Sequence, residues 1–194
     1  MTRALIHEFH AIAREALGDE AADVRVMGVE PTPAGPRVRY EGVPTARYRG
    51  RRELLTDRAL TWEATSRYLA TRWRAGPMPA PVPEDSWRQL MELFPEVYGE
   101  PVETGPGWHW LLTLMAEWMG EVGIPPEFQT IQVKEKYGSL RVYFAPHHDP
   151  AYPYEAVIAA VERLSEGVCE TCGAPGQARK TGWVRVRCDD HAGR

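Results

Sequence analysis

The chain has 194 residues, of which 43% are hydrophobic and 26% charged, and its formal net charge is −4. That balance suits a globular chain and excludes a disordered or low-complexity one. No apolar run approaches the roughly 20 residues of a membrane span, and residues 1–8 carry no apolar signal core, so the reading is a cytoplasmic protein with no membrane partner.

Residues 3–17 place Leu5, Phe9, Ile12, Ala13 and Ala16 at helical spacing, with Gly18 as a stop. Two extended runs follow, 24–29 and 37–43, separated by Pro31, Pro33, Gly35 and Pro36, and they suit a hairpin. A second helix is predicted over 57–74, with an apolar stripe of Leu60, Ala64, Tyr68, Leu69 and Trp73. Residues 76–83 hold four prolines, which favour extended polyproline geometry and mark a linker. Beyond it come a short helix over 86–94 and an apolar helix over 108–119. A hairpin is predicted over 129–144, turning at Tyr137-Gly138-Ser139, and a helix over 154–165.

The predicted fold is α+β in two small lobes. Residues 1–75 form a helix–hairpin–helix lobe, 76–83 the linker, and 84–194 a lobe in which helices 108–119 and 154–165 pack on the 129–144 hairpin. Charge divides along the same line. Residues 37–74 hold ten arginines against four acids, while 84–127 hold nine acids against Arg88 alone. Such segments can complement each other, or the first can present a basic face to an anionic partner.

The sharpest motif lies at the end of the chain. Cys169, Cys172, Cys188 and His191 read C-x2-C-x15-C-x2-H and use all three cysteines. Two ligand pairs of this spacing can wrap one tetrahedral Zn2+. Four protein ligands leave no open position, so the zinc is expected to be structural, closing a knuckle over 166–192. Thiols spent on a metal again suit a reducing compartment.

Residues 88–192 resemble an uncharacterised family of small bacterial and phage-encoded proteins. The resemblance is carried by Leu93-Phe94-Pro95, by Gly107-Trp108-His109-Trp110-Leu111-Leu112 and by the run from Gln132 to Tyr143. It continues through Cys169-Glu170-Thr171-Cys172-Gly173-Ala174-Pro175-Gly176, Gly182-Trp183 and Cys188-Asp189-Asp190-His191. It implies a fold unit and no assigned reaction. Many similar sequences lack one or more of the ligands, which implies that the zinc supports the fold.

No P-loop, G-x-S-x-G or HExxH is present, and the string 134–141 holds no obvious nucleophile with its base. The leading expectation is therefore a non-catalytic binding protein that recognises a macromolecule, a protein first. Its contact candidates are Lys134, Lys136, Tyr137 and Arg141 at the hairpin tip. Nucleic-acid binding is the alternative. It would use the arginine- and aromatic-rich segment 37–74, densest at Arg47, Arg49, Arg51 and Arg52, with Arg185 and Arg187 on a strand of the zinc segment. A third reading, a metal-dependent hydrolase or nuclease, would rest on His147, His148 and Asp149. His7 and His10 read as a surface pair on the first helix.

Overall fold

The computed structural model describes residues 1–18, 24–43, 57–145, 153–180 and 182–193. Within them the fold is mixed α+β. Five α-helices, α1 (Thr2–Leu17), α2 (Asp57–Arg72), α3 (Ser86–Leu93), α4 (His109–Val122) and α5 (Tyr154–Leu164), accompany three small sheets. β1 (Arg25–Thr32) and β2 (Gly35–Glu41) form an antiparallel pair with a bulge between Val26 and Gly28. β4 (Gln129–Lys136) and β5 (Ser139–Ala145) form the predicted long hairpin, in which Lys134 faces Arg141 and Gln132 faces Tyr143. A third strand, β3 (Val102–Glu103), runs parallel to β4, and two residues are too few to leave a pattern in sequence. β6 (Gln177–Arg179) and β7 (Arg185–Arg187) pair antiparallel between the two halves of the cysteine motif. No helix among the described residues is long and apolar enough to cross a membrane.

One hydrophobic cluster runs through the molecule. It takes Leu5, Phe9 and Ile12 from α1, Trp62 and Leu69 from α2, Leu111 and Met115 from α4, Val157 and Val161 from α5, and Val133 and Leu140 from the sheet. The helices on either side of residues 76–83 thus share a core, and the division expected there does not divide the packing. The reason is α2. It packs on α1, β2, α4 and α5, although it carries Thr61, Thr65, Ser66 and Arg72 on buried positions. Those hydroxyls find partners close at hand: Thr65 donates to Thr61 O at 2.8 Å and Ser66 to Val38 O at 2.8 Å. A buried polar group costs little once it is hydrogen-bonded.

The charge asymmetry reads as complementarity. Arg67 reaches Glu121 at 2.6 Å and Arg74 grips Glu117 with two nitrogens at 2.9 and 2.7 Å. Arg37 pairs with Glu63, Arg39 with Glu30 and Arg72 with Glu8. The Pro-rich stretch lies across this junction as a strap. Ala80 N–H donates to Arg72 O at 2.7 Å, and the Trp110 indole donates to Ala80 O at 3.2 Å.

Candidate metal centre

The first knuckle begins where α5 ends in a short 3-10 turn, Ser165–Gly167. Cys169 N–H donates to Ala174 O at 2.8 Å and Gly173 N–H to Cys169 O at 2.9 Å, which folds Cys169 and Cys172 onto one side. Gly173, at φ 73°, turns the knuckle where the sequence places it. The second pair follows β7: Cys188 leads into a 3-10 turn, Asp189–His191, closed by His191 N–H to Cys188 O at 3.1 Å.

The four ligand atoms all lie within 4.8 Å of one another. Cys169 Sγ is 3.8 Å from His191 Nδ1, and Cys172 Sγ is 3.8 Å from Cys188 Sγ. A tetrahedron with metal–sulfur bonds of about 2.3 Å and metal–nitrogen bonds of about 2.0 Å has edges of about 3.5–3.8 Å. The Cys188–His191 edge is tighter, at 3.1 Å. All three cysteines are free thiols, and their spacing is far from a disulfide's. Cys169 and Cys172 are linked through a hydrogen bond between their sulfurs. The hydrogen bond from Cys172 holds the Cys169 thiol down at about 4, and donating that bond, with burial, pushes Cys172 up. A cation between them would favour ionisation of both near neutral pH. Among the described residues this is the one group of three or more such side chains that converges on a point.

The core grips the site from three directions. The 3-10 turn Pro106–Trp108 before α4 lies directly on the first knuckle. Gly107 N–H donates to Glu170 O at 2.8 Å, and the buried Trp108 indole donates to Val168 O at 2.9 Å. A Cβ at Gly107 would sit 2.3 Å from Cys169 O, so only glycine fits there. The Gly107-Trp108 and Cys169–Gly176 stretches are therefore two sides of one contact. From α2, the Tyr68 hydroxyl donates to Gly173 O at 2.5 Å. The Arg72 guanidinium lies beside the same knuckle. Burial opposes its protonation, yet Tyr68, Glu8 and Cys172 together hold its pKa above the ordinary value, and its Nε is buried without a hydrogen-bond partner. Three thiolates and an imidazole around a divalent ion carry one net negative charge, which a neighbouring guanidinium suits. From β7, the Arg187 guanidinium meets Glu170 at 3.0 Å, and the Glu170 carboxylate also accepts Val186 N–H at 3.0 Å.

The other candidates are scattered. Lys134, Lys136 and Arg141 stand on the β4–β5 hairpin and Tyr137 in its turn. Arg185 is exposed, whereas Arg187 is buried and paired with Glu170. The single charged strand face expected of Arg185 and Arg187 does not form, because Arg187 is turned inward to neutralise Glu170. Arg47, Arg49, Arg51 and Arg52 lie outside the described residues, as do His147, His148 and Asp149. His7 is exposed and His10 half-buried on α1. Sequence reasoning passed over Glu170, a spacer inside the first ligand pair, and over Tyr68 and Arg72, which only the fold brings to the knuckle. No family model, no curated protein and no solved structure matches this chain.

Proposed function

We propose that the chain is a non-catalytic binding protein in which Cys169, Cys172, Cys188 and His191 hold one structural zinc ion, and that it works by offering a surface to a macromolecular partner. The observation that carries the reading is the convergence of four protein ligand atoms on a site gripped by Trp108, Tyr68 and the Glu170–Arg187 pair. A metal with four protein ligands has no position left for water or substrate. The ion would supply cross-linking free energy to a segment that lacks a core of its own. Free thiols committed to a metal support a reducing compartment such as the cytoplasm.

The nucleic-acid surface expected over 37–74 gains no support from its described part. Trp62, Tyr68 and Trp73 are buried in the core, and Arg37, Arg39, Arg67, Arg72 and Arg74 each pair with an acid. The hollow of 450 Å³ beside them is lined by Glu30, Arg37, Arg39, Tyr40 and Glu63, which satisfy one another. It offers no free base or nucleophile.

Metal analysis of the purified protein should return about one equivalent of zinc, and Cys172→Ser should lose it together with thermal stability. A folded protein carrying less than about a tenth of an equivalent would sink the metal assignment.

A further inference from the structure

We propose that the outward face of the β4–β5 hairpin, completed by Trp183, binds single-stranded nucleic acid. The proposal rests on the reading of the chain as a binding protein and names its surface and its partner.

Cations and aromatic rings share this face with Gln132, which accepts from Lys134 at 2.7 Å and donates to the carboxylate of Glu103 at 2.9 Å. Lys134 and Arg141 are cross-strand partners, and Tyr143 follows Arg141 on the same side. The Lys134 ammonium lies 5.3 Å from the centroid of the Tyr143 ring, and that of Lys136 lies 5.9 Å from the Tyr137 ring. At the tip, Tyr137 stacks on Trp183 with centroids 5.0 Å apart and planes 24° from parallel. The Trp183 indole is fixed by donating to Glu135 at 3.1 Å. All three rings remain open to solvent: Tyr137 is 61% exposed, Trp183 53% and Tyr143 43%. Arg185 stands two residues from Trp183 and is exposed. Among the described residues Lys134, Lys136, Arg141 and Arg185 make no ion pair, unlike the acid-paired arginines of the core.

The turn supplies an independent observation. Tyr137 and Gly138 occupy its two central positions at φ 54° and 79°, a type I′ hairpin. The first position favours Asn, Asp or Gly, and a bulky side chain there is strained. Tyr137 is the one residue other than glycine at positive φ among those described. Strained positions of this kind are held by their surroundings and cluster at ligand-contacting sites. Here the residue holds a flat ring outward, braced on a second ring. Flat rings accept any base by stacking, and flanking cations track the phosphates. A duplex has its bases already stacked inside and can use only the cations.

The test is fluorescence anisotropy with labelled oligo(dT) and oligo(rU) of about twelve nucleotides, a duplex of the same length, and polyglutamate as a competing polyanion. Each protein sample is assayed for zinc and melted beforehand. Wild type should bind both single strands at low salt, more tightly than the duplex, with affinity falling as salt rises. Tyr137→Asn suits the turn and removes the ring. It should melt no lower than wild type, yet bind about 5- to 100-fold more weakly, with little change in salt dependence. Arg185→Gln should instead lower the slope of log affinity against log salt by about 0.7. A folded, zinc-loaded wild type that ignores both oligonucleotides overturns this surface and leaves the binding-protein reading with a protein partner. Equal binding by Tyr137→Asn, or competition by polyglutamate as effective as by unlabelled oligonucleotide, also overturns it, because the patch would then be only a polyanion trap. A folded protein without zinc that still binds through Tyr137 overturns the metal centre and keeps this proposal.

Discussion

Glu170 and Arg187 show how much of the metal segment depends on side chains that are not ligands. Their side chains are 4% and 10% exposed, so neither charge can fall back on water once its partner is gone. Burial pushes the Glu170 carboxyl up, and the Val186 N–H and the Arg187 charge pull it back. Removing one partner of a buried pair typically costs about 3–5 kcal/mol. Glu170→Ala and Arg187→Ala should each destabilise the protein by that order in urea unfolding, and the double variant should lose much less than their sum. A single-variant cost below about 0.5 kcal/mol, the range of ordinary surface changes, would show that the pair is idle. This pair was hidden in the sequence because an acid between two cysteines and an arginine on a short strand both look like solvated spacers. The ligands themselves were legible, since the spacing of two knuckles is a local matter. The convergence of Tyr68 and Arg72 on Gly173 was not, since it joins residues far apart in the chain.

The helices divide the same way. α1 follows from its apolar period, and its buried residues are the ones the spacing picks out, while α5 forms over the predicted range and buries Tyr154, Val157, Ile158, Ala160, Val161 and Leu164. α2 was legible as a helix but not as the central one, because Thr61, Thr65 and Ser66 read as polar while satisfying themselves within the core. The prolines of 76–83 predict extended backbone; residues 76–78 bend and 79–83 carry no regular structure, and such a stretch suits a strap as well as a boundary. Only the Trp110 and Arg72 contacts decide between them. Trp110→Phe keeps the ring and removes the donor to Ala80, so limited proteolysis within 76–83 should speed up in that variant. An unchanged digestion pattern would show that the bond does not hold the strap. At its N-terminus α4 carries His109, buried with Nδ1 3.1 Å from Ser86 Oγ. Burial lowers its pKa from the ordinary 6.5, with Ser86 and Asp85 opposing. The unfolded chain therefore binds a proton that the folded one resists. The stabilising contribution is full above about pH 6.5 and is lost as pH falls from there toward the folded value. His109→Gln should flatten that part of the melting-temperature profile. Parallel profiles for both proteins would remove His109 from the account.

At the scale of the whole molecule, the shared core makes the metal everyone's concern. Tyr68 and Arg72 connect the knuckle to α2, and α2 packs on α1, α4 and α5. Chelation should therefore lower one cooperative melting transition rather than release the end of the chain alone. Calorimetry that shows two separated transitions, with the helical one unmoved by chelator, would restore two independent lobes. Tyr68→Phe deletes only the hydroxyl at Gly173 and should hasten loss of a metal bound at this site to a chromogenic chelator. α1 reaches the same region directly: a Cβ at Gly167 would lie 2.5 Å from Ile12 O, so the first helix rests on the turn that leads into the first knuckle. This closeness has a consequence in time. A ribosome makes α1 well before His191, so the part of the first helix that rests on the Ser165–Gly167 turn must wait for the segment that covers it. Folding cannot finish vectorially, because the turn against which Ile12 settles is made after α2, α4 and α5. Nascent chains that have not yet reached Cys188 should be the more open to chaperones and proteases, which makes the closing of the candidate metal site a late checkpoint in folding.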